Sequence, residues 1–558
     1  MPHIQINKNE FNDLVGANVT DKTLNEDASF LGVHWNHVNE EKWDIEVYPN
    51  RPDLLSVEGL ARAYKGYFEQ DTGLKEFHVE QPTDDEEDGD AEDAGIQVEK
   101  NKTVEDVRPF IGCAVVRGLE LNEKMINGLI QLQEKLHVSY GRRRDKLAIG
   151  LHDLSGIEPP FTYKAVEPGD VSFQPLQHDK EIDLAEILAR HEKGQKYSWI
   201  LEDEDRYPVI VDSNDSVLSF PPIINNQLTE VDQGTEDIFI DVTGKHKETV
   251  EKALNIIVAT LDERGGKIES VEVDGETMPD MAPEVIELET DYVNSVSGLD
   301  LSPDDVKERL EKMRYGVDIR QNLEVKVPAY RTDVMHQYDL IEDIVIAHGY
   351  NNIDPEMPEV DQDGGLTDIS RFSDEIRDVL LRSGVIEANT YVLTNEQDLF
   401  DKMDMEKTDE QVDLENPMTR EYSTVRSWLT PSLFQVLEEN KHNSYPQRFF
   451  EVEDVVEKTE DYKGAENVKK LAYVAAGDID YNDARKKLQS LERDLGIELK
   501  LKKDYKPFHK HARSANIVFD GDEIGFIGEF SETVRNNWDI ETPVAGFELN
   551  VEKLKEKM

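Results

Sequence analysis

The sequence predicts an α+β multidomain protein, and three observations carry that expectation. The chain has 558 residues, enough for about three to five domains of roughly 100–200 residues each. Apolar β-runs bounded by Pro, Asn, Asp and Gly alternate with stretches whose apolar residues recur at helical spacing. From about residue 367 onward, β-runs return through short polar turns, the pattern of an antiparallel sheet.

Residues 1–81 read as an N-terminal module. In DIEVYPNRPDLLSVEGLARAYKGYF a strand (Ile45–Tyr48) leads through a Pro-bracketed turn to a helix, with Val57, Leu60, Ala61, Tyr64 and Phe68 on one buried face. Residues 82–103 read as an acidic linker, with DDEEDGDAED at 84–93 as its charged run. Residues 104–277 form the next domain. It opens with a strand at Ile111–Val116 and a helix at Glu123–Leu136, followed by the basic turn GRRRDK and the strand LAIGLHDL. It closes with β-runs in YPVIVDS, VLSFPPIIN and DIFIDVTG. A helix follows whose stripe is Val250, Ala253, Leu254, Ile257, Val258 and Leu261.

Residues 278–357 read as a small module. Ser302 is placed as an N-cap, Pro303 suits the first helical position, and Asp305 sits where a capping-box acid sits; Gly316 is the expected stop. A strand at Glu324–Val327 precedes a second helix ended by Gly349. Residues 358–558 hold an amphipathic helix (Phe372, Ile376, Val379, Leu380, Ser383). The β-runs NTYVLT, RFFEVEDVV, LAYVAAG, ANIVFDG, EIGFIGEF and VAGFELNV follow it. No repeat of solenoid period is present.

Lys and Arg total 62 against 120 Asp and Glu, a formal charge of -58. The acids are spread along foldable segments, which indicates a salt-adapted globular protein rather than an acidic tail. At molar salt the Debye length falls to ~3 Å, so self-repulsion is largely screened. The melting temperature is therefore expected to be markedly lower in dilute buffer than in molar KCl, and equal values would contradict salt adaptation. The single cysteine, Cys113, excludes an internal disulfide and suits a reducing cytosol. The opening MPHIQINKNEF lacks the charged-then-apolar pattern of a signal peptide. No apolar run approaches the ~18 residues of a membrane span, so a membrane is not an expected partner.

One charged cluster points to chemistry. In AYRTDVMHQYDLIEDIVIAHGYNNI, Asp333 precedes the helix, and Asp339, Glu342 and Asp343 share one helical face at i, i+3 and i+4. Hard oxygen ligands gathered in this way suit Mg²⁺, which takes one or two carboxylates and completes its shell with water or phosphate. The plainer alternative is a solvated helix start whose acids complement the macrodipole at ~0.3–1 kcal/mol.

Taken in order, the strings YPNRPDLLSVEGLARA, GRRRDKLAIGLHDL, VDSNDSVLSFPPIINNQLT, DIFIDVTG, YRTDVMHQYDLIEDIVIAHGYNNI and ENPMTREYSTVRSWLTPSLFQVLEENKH span almost the whole chain. With them the chain resembles the β subunit of phenylalanyl-tRNA synthetase, of the archaeal and eukaryotic type. The resemblance implies an α2β2 heterotetramer. Its α chain binds ATP and phenylalanine and charges tRNA(Phe), while the β chain supplies structure, tRNA contacts and an editing site. It also implies that Asp333, Asp339, Glu342 and Asp343 form a Mg²⁺ site shared with the α chain.

The resemblance makes 104–277 an editing domain that hydrolyses Tyr-tRNA(Phe) and spares Phe-tRNA(Phe). An apolar synthetic pocket rejects an added hydroxyl by only ~10², so a second sieve with polar partners for that hydroxyl is useful. On the strand IFIDVTG, Phe239, Asp241 and Thr243 share one face, and an aromatic, a carboxylate and a hydroxyl suit a ring with a polar tip. Asp241 and Thr243 are the candidate editing residues. Gln133, inside the apolar arc of its helix, requires a polar partner. Arg144 is expected to meet the tRNA 3′ end, and Asn225 and Asn226 to lie in a pocket loop. The plainer readings are a strand-end turn, a satisfied core glutamine and a solvated loop. No Ser–His–Asp or metal-hydrolase signature is present, so hydrolysis is expected to use a positioned water and the terminal ribose hydroxyl.

The final domain, 358–558, resembles a class II synthetase sheet that has lost catalysis. RFFEVEDVV looks like a decayed second motif, and GFIGEF keeps glycines of the third without its ATP-binding arginine. Trp428, Leu429 and Leu433 are candidate core or α-interface residues. For so acidic a chain to meet a polyanion, local cations such as Arg142, Arg143, Arg144 and Lys146 must carry the contact. Two other functions fit parts of the sequence: a stand-alone editing hydrolase, and a non-enzymatic RNA-binding scaffold. Co-purification with an α chain and release of tyrosine from mischarged tRNA separate them.

Overall fold

The computed structural model describes residues 2–26, 30–81, 95–358, 364–408, 411–460 and 464–558, and the acidic run at 84–93 lies outside them. The chain divides into two compact units, Met1–Glu356 and Met357–Met558.

The first unit opens with a three-stranded antiparallel sheet of His3–Asn7, Val33–His37 and Lys42–Val47, the last in the centre. Helices Lys8–Val15 and Asp21–Glu26 join its first two strands, and helix Val57–Tyr67 follows. Ser56 caps that helix by accepting from the Gly59 amide. Its buried face packs Tyr64 edge-on to Phe11 and Trp35, and Trp35 Nε1 donates to the Tyr64 hydroxyl at 2.8 Å.

Two sheets build the middle of the unit. One has five strands in the order Val79–Glu80, Lys267–Glu269, Phe110–Arg117, Ile238–Gly244 and Leu147–Asp153. Helix Lys247–Asp262 lies on it, with Val250 and Leu254 against Gly112. The other has seven: Ile224–Asn225, Val217–Phe220, Tyr207–Val211, Phe161–Val166, Gln97–Lys100, Val271–Val273 and Glu276–Met278. Both sheets are mixed and reach outside residues 104–277. Gln97–Lys100, within the expected linker, pairs in parallel with Phe161–Val166 and Val271–Val273, and Val79–Glu80 pairs in parallel with Lys267–Glu269. The β-run in the linker was hidden by the charged residues around it.

The third part repeats the plan of the first. Strand Glu284–Leu288, helices Thr290–Ser297 and Pro303–Lys312, strands Gly316–Ile319 and Leu323–Val327, and helix Gln337–His348 follow the same order, and again the third strand is central. Ser302 and Asp305 form the expected capping box. Helix Pro303–Lys312 ends before Gly316, which opens a strand instead. The two copies share a clamp. Arg51 Nε and Nη2 donate to the two oxygens of Asp53 at 2.9 and 2.8 Å, and Arg331 does the same to Asp333 at 2.8 and 2.8 Å. In each copy the helix N-cap, Ser56 or His336, stands at the same offset from that arginine.

The second unit is a seven-stranded sheet: Ile386–Glu387, Gln447–Lys458, Ala465–Ala476, Val544–Asn550, Asp522–Phe530, His509–Phe519 and Lys500–Lys503. It is antiparallel except for its first pair. NTYVLT contributes only the short strand Leu393–Thr394, which pairs outside this sheet. Alternation along the strands feeds two cores. Leu471, Tyr473 and Ala475 meet helices Asp368–Arg382 and Tyr481–Leu495, while Ala472, Val474 and Ala476 belong to the core of helix Thr430–Glu439. Trp428, Leu429 and Leu433 are buried in that second core. The glycines of GFIGEF are packed rather than open. A Cβ on Gly528 would stand 2.6 Å from the His509 ring, and one on Gly525 would strike the Glu548 carbonyl.

Candidate functional site

A cavity of about 250 Å³ opens between the two mixed sheets of the first unit. One wall is helix Glu123–Val138, which Asn122 caps by accepting from the Lys124 and Met125 amides. The helix presents Ile126, Leu129, Ile130, Gln133, Glu134 and His137 to the cavity. Strand Leu147–Asp153 supplies Gly150 and Leu151, strand Ile238–Gly244 supplies Asp241, and the segment around Ser219 and Asn225 closes the far side. The lining is mostly apolar, with a few convergent polar groups, the composition expected of a site that holds a small organic group.

Four of the residues singled out from sequence meet here: Gln133, Arg144, Asn225 and Asp241. Gln133 Nε2 donates to the Ile149 carbonyl at 2.7 Å, the partner its position demands. Asn225 Nδ2 donates to the Leu151 carbonyl at 3.2 Å. Asp241 is 2 % exposed, yet no hydrogen bond to its Oδ2 is found among the described residues.

Two others stand outside the lining, and a third has a different setting from the one expected. Thr243 is fully buried at the far end of its strand, where its Oγ1 accepts from Arg108 Nε at 3.0 Å. Asn226 is turned away, donating to the Val217 carbonyl and accepting from the Leu228 amide. Alternation correctly groups side chains by face, but Arg108 reaches across the strand end and claims the threonine. Arg144 is not free to follow a tRNA end. Its guanidinium donates to the Ile223 and Pro222 carbonyls at 2.8 and 3.2 Å, pairs with Glu134, and lies 4.5 Å from the Tyr197 ring centre. Arg142 and Arg143 of the same turn are exposed, and Lys146 is half-buried.

Sequence reasoning missed Arg108, Glu134, His137, His152 and Ser219. Arg108 holds the site's frame, donating also to the carbonyls of Thr243, Arg144 and Asp145. Burial lowers its pKa to about 10, still charged at neutral pH. Burial likewise drops His137 to about 4, and its neutral Nε2 accepts from the Ile149 amide at 2.8 Å. Ser219 Oγ, Arg144 Nε and His137 Nδ1 are buried around the cavity and have no hydrogen-bond partner among the described residues. Such orphans are costly unless water or a ligand meets them. His152, fully buried, stands behind Asp241 with Nε2 2.7 Å from Oδ1. The signal that could have found it was the histidine at alternating spacing in LAIGLHDL.

The acidic cluster is arranged differently from the expectation. Among the described residues no group of three or more His, Cys, Asp or Glu side chains stands ready to hold a metal ion. Arg331 takes up Asp333 and also donates to Asp343 Oδ2 at 2.8 Å, an oxygen shared with the Tyr315 hydroxyl. Asp339 Oδ2 accepts from the Met335 and His336 amides, both at 2.7 Å, and so closes a capping box. Glu342 is exposed. Partial burial, then the charges of Asp343, Asp339 and Asp333, push its pKa up. The four carboxylates are thus not one ligand set. An arginine neutralises two, a helix start uses an oxygen of the third, and Glu342 alone sits crowded by negative charge.

Three family models match the sequence: the B3/4 domain over residues 117–264, the tRNA synthetase B5 domain over 286–350, and the phenylalanyl tRNA synthetase beta chain CLM domain over 353–551. The chain is 38% identical to the phenylalanine–tRNA ligase beta subunit of Pyrococcus furiosus, over 99% of this chain and 100% of that one. It is 37% identical to the subunit of the same name from Methanosarcina barkeri, over 99% of both. A crystal structure of an N-terminal fragment of the phenylalanyl-tRNA synthetase beta subunit from Pyrococcus horikoshii superposes with a TM-score of 0.58 at 37% identity, covering 62% of this chain and all of that fragment.

Proposed function

The chain belongs to the phenylalanine–tRNA ligase β-subunit family, and from that premise we infer two tasks for it: to complete a ligase with an α subunit, and to hydrolyse mischarged Tyr-tRNA(Phe) itself. In the first task the α chain holds ATP and phenylalanine, charges tRNA(Phe), and assembles as α2β2. The second unit is a non-catalytic copy that braces this assembly. Packing of the GFIGEF glycines against His509 and the Glu548 backbone supports that reading, because a phosphate needs open backbone there.

The editing task rests on one observation: a buried carboxylate, Asp241, faces a mostly apolar cavity with one oxygen uncommitted. A tyrosyl ring is held by the apolar walls, and its phenol O–H donates to Asp241. A phenylalanyl ring would bury that charge unmet, and such a mismatch is rejected far more strongly than a lost methylene. Gln133 keeps Oε1 as an acceptor for a water or the terminal ribose hydroxyl, since its amide nitrogen is spent on Ile149. Arg144 fixes the cavity wall, and the exposed Arg142 and Arg143 take the RNA backbone. The test is direct. In molar KCl the chain, with its α partner, should release tyrosine from Tyr-tRNA(Phe) and leave Phe-tRNA(Phe) intact; alone it should form no aminoacyl-tRNA. Equal loss of both amino acids, or of neither, contradicts the reading.

The Mg²⁺ reading narrows. Glu342 and the free oxygen of Asp339 would hold a hydrated Mg²⁺, while Asp333 and Asp343 contribute charge from behind Arg331. One or two carboxylates with a water shell is the habit of this ion, and the acids Asp343, Asp339 and Asp333 around Glu342 favour positive charge there. Bound there, the ion would neutralise this face against an anionic partner. Asp339→Ala with Glu342→Ala should raise the Mg²⁺ concentration needed for aminoacylation or tetramer assembly by about tenfold, the loss of one to two ion contacts. An unchanged Mg²⁺ titration leaves the acids as a helix start.

A further inference from the structure

Taking the proposed editing reading of the cavity as given, we propose that His152 is a positioning residue. Thr229 fixes its tautomer, and its Nε2–H then holds Asp241 with one oxygen aimed at the substrate hydroxyl.

His152 lies on strand Leu147–Asp153, opposite Phe239 on the neighbouring strand. It is fully buried, and each ring nitrogen has one partner. Nε2 is 2.7 Å from Asp241 Oδ1, and Nδ1 is 2.8 Å from Thr229 Oγ1. An ionised carboxylate only accepts, so Nε2 must carry the proton. In the neutral ring Nδ1 is then an acceptor, and at 2.8 Å it is the nearest acceptor for the single Thr229 proton, ahead of the Asn226 and Leu218 carbonyls at 3.2 and 3.5 Å. Thr229 is 1 % exposed and does not line the cavity, so the tautomer is set from inside the core. The chain of bonds runs opposite to a hydrolytic triad. In a triad the hydroxyl faces the substrate and the acid is behind the ring. Here the acid faces the cavity and the hydroxyl is behind.

The backbone is built to admit this pair. Gly150 lies directly across from Asp241 in the sheet. A Cβ on Gly150 would strike Asp241 Oδ1 and stand 2.6 Å from His152 Nε2. A side chain there would force Asp241 off the histidine, and its free oxygen off the cavity. The Phe239 ring, 6.1 Å from the imidazole centre, closes another side. Asp241 therefore has one oxygen spent on a fixed donor and one left as an acceptor. That acceptor meets a substrate that brings a hydroxyl and is left bare by one that does not.

Two variants and one spectrum test this. His152→Gln keeps an N–H donor near the place of Nε2, and His152→Leu keeps bulk without a donor. In the αβ complex, His152→Leu should lower kcat/KM for Tyr-tRNA(Phe) hydrolysis by about 10- to 100-fold, the worth of a hydrogen bond to a charged group, with phenylalanine charging unchanged. His152→Gln should stay within about threefold of wild type, since it retains that donor. Equal activity of His152→Leu and wild type overturns the proposal. So does equal loss in both variants, which marks a packing role alone. A wild-type complex that does not release tyrosine tells against the editing reading instead. The tautomer stands apart from activity: in the ¹⁵N-histidine-labelled chain, the resonances that vanish in His152→Gln should show a protonated Nε2 and a bare Nδ1 at neutral pH. A bare Nε2 overturns the proposal whatever the cavity binds.

Discussion

Asp241→Ala is expected to abolish discrimination between tyrosyl and phenylalanyl esters. Hydrolysis of Tyr-tRNA(Phe) should fall by at least about a hundredfold, as when a preorganised polar partner is removed from an enzyme site. Charging by the α chain should be untouched. The change has a second cost, because the His152 Nε2–H loses its acceptor inside the core. An unmet buried donor destabilises by about 1–3 kcal/mol. Stability and activity are therefore read together: a folded variant that still clears mischarged tRNA at the wild-type rate removes Asp241 from the site. A mischarging assay with α present reads the same loss by another route, through accumulation of Tyr-tRNA(Phe).

Arg331→Met is expected to be the most destabilising single change in the first unit. Arg331 is 4 % exposed and joins Asp333, Asp343 and, through Asp343, the Tyr315 hydroxyl. Burial alone would lower its pKa, but the neighbouring Asp343, Tyr315 and Asp333 outweigh burial and raise it. Deleting one partner of a buried ion pair leaves the other uncompensated, at about 3–5 kcal/mol, and here two acids are stranded. Chemical denaturation should show the loss at pH 7. The gap should narrow in acid. Arg331 holds Asp333 below the usual carboxylate range despite burial. Its stabilisation is therefore full above about pH 4, the unfolded value, and fades as pH falls through the lower folded one. A variant as stable as wild type at pH 7 would show that the cluster carries no such load.

How much of this was legible in the residues depended on the range of the interaction. Helices Val57–Tyr67 and Lys247–Asp262 stood out because their apolar spacing is local, and Gln337–His348 because its acids and its Gly349 stop are. The capping box at Ser302 and Asp305 could be read from two letters. Gln133 lines the cavity with the partner that an amide in an apolar arc demands, and Asp241, singled out by the strand face it shares with Phe239 and Thr243, lines it too. Thr243 and Asn226 stand outside the lining, held by Arg108 and the Val217 carbonyl, partners that lie far along the chain or on backbone that carries no letter. The acidic face at Asp339, Glu342 and Asp343 was plain, but its neutralisation by Arg331 was not, since the arginine approaches from outside the helix. The duplicated module was invisible as well. Its copies keep an Arg-x-Asp turn, a cap and an order of elements, and too few identical letters to register as a repeat.

That duplication turns the chain into its own control experiment. What both halves retain, the arginine fork and the capped helix, is what the shape demands. What differs is free to answer to something else. At matched positions the first copy has Gly59, Arg62 and Ala63 where the second has Asp339, Glu342 and Asp343. The order of elements stands without that trio in one half, so the plan itself does not require them, although in the second half Asp339 caps the helix and Asp343 pairs with Arg331. Grafting them onto the earlier helix would ask, inside a single molecule, whether an ion follows the acids or the surroundings.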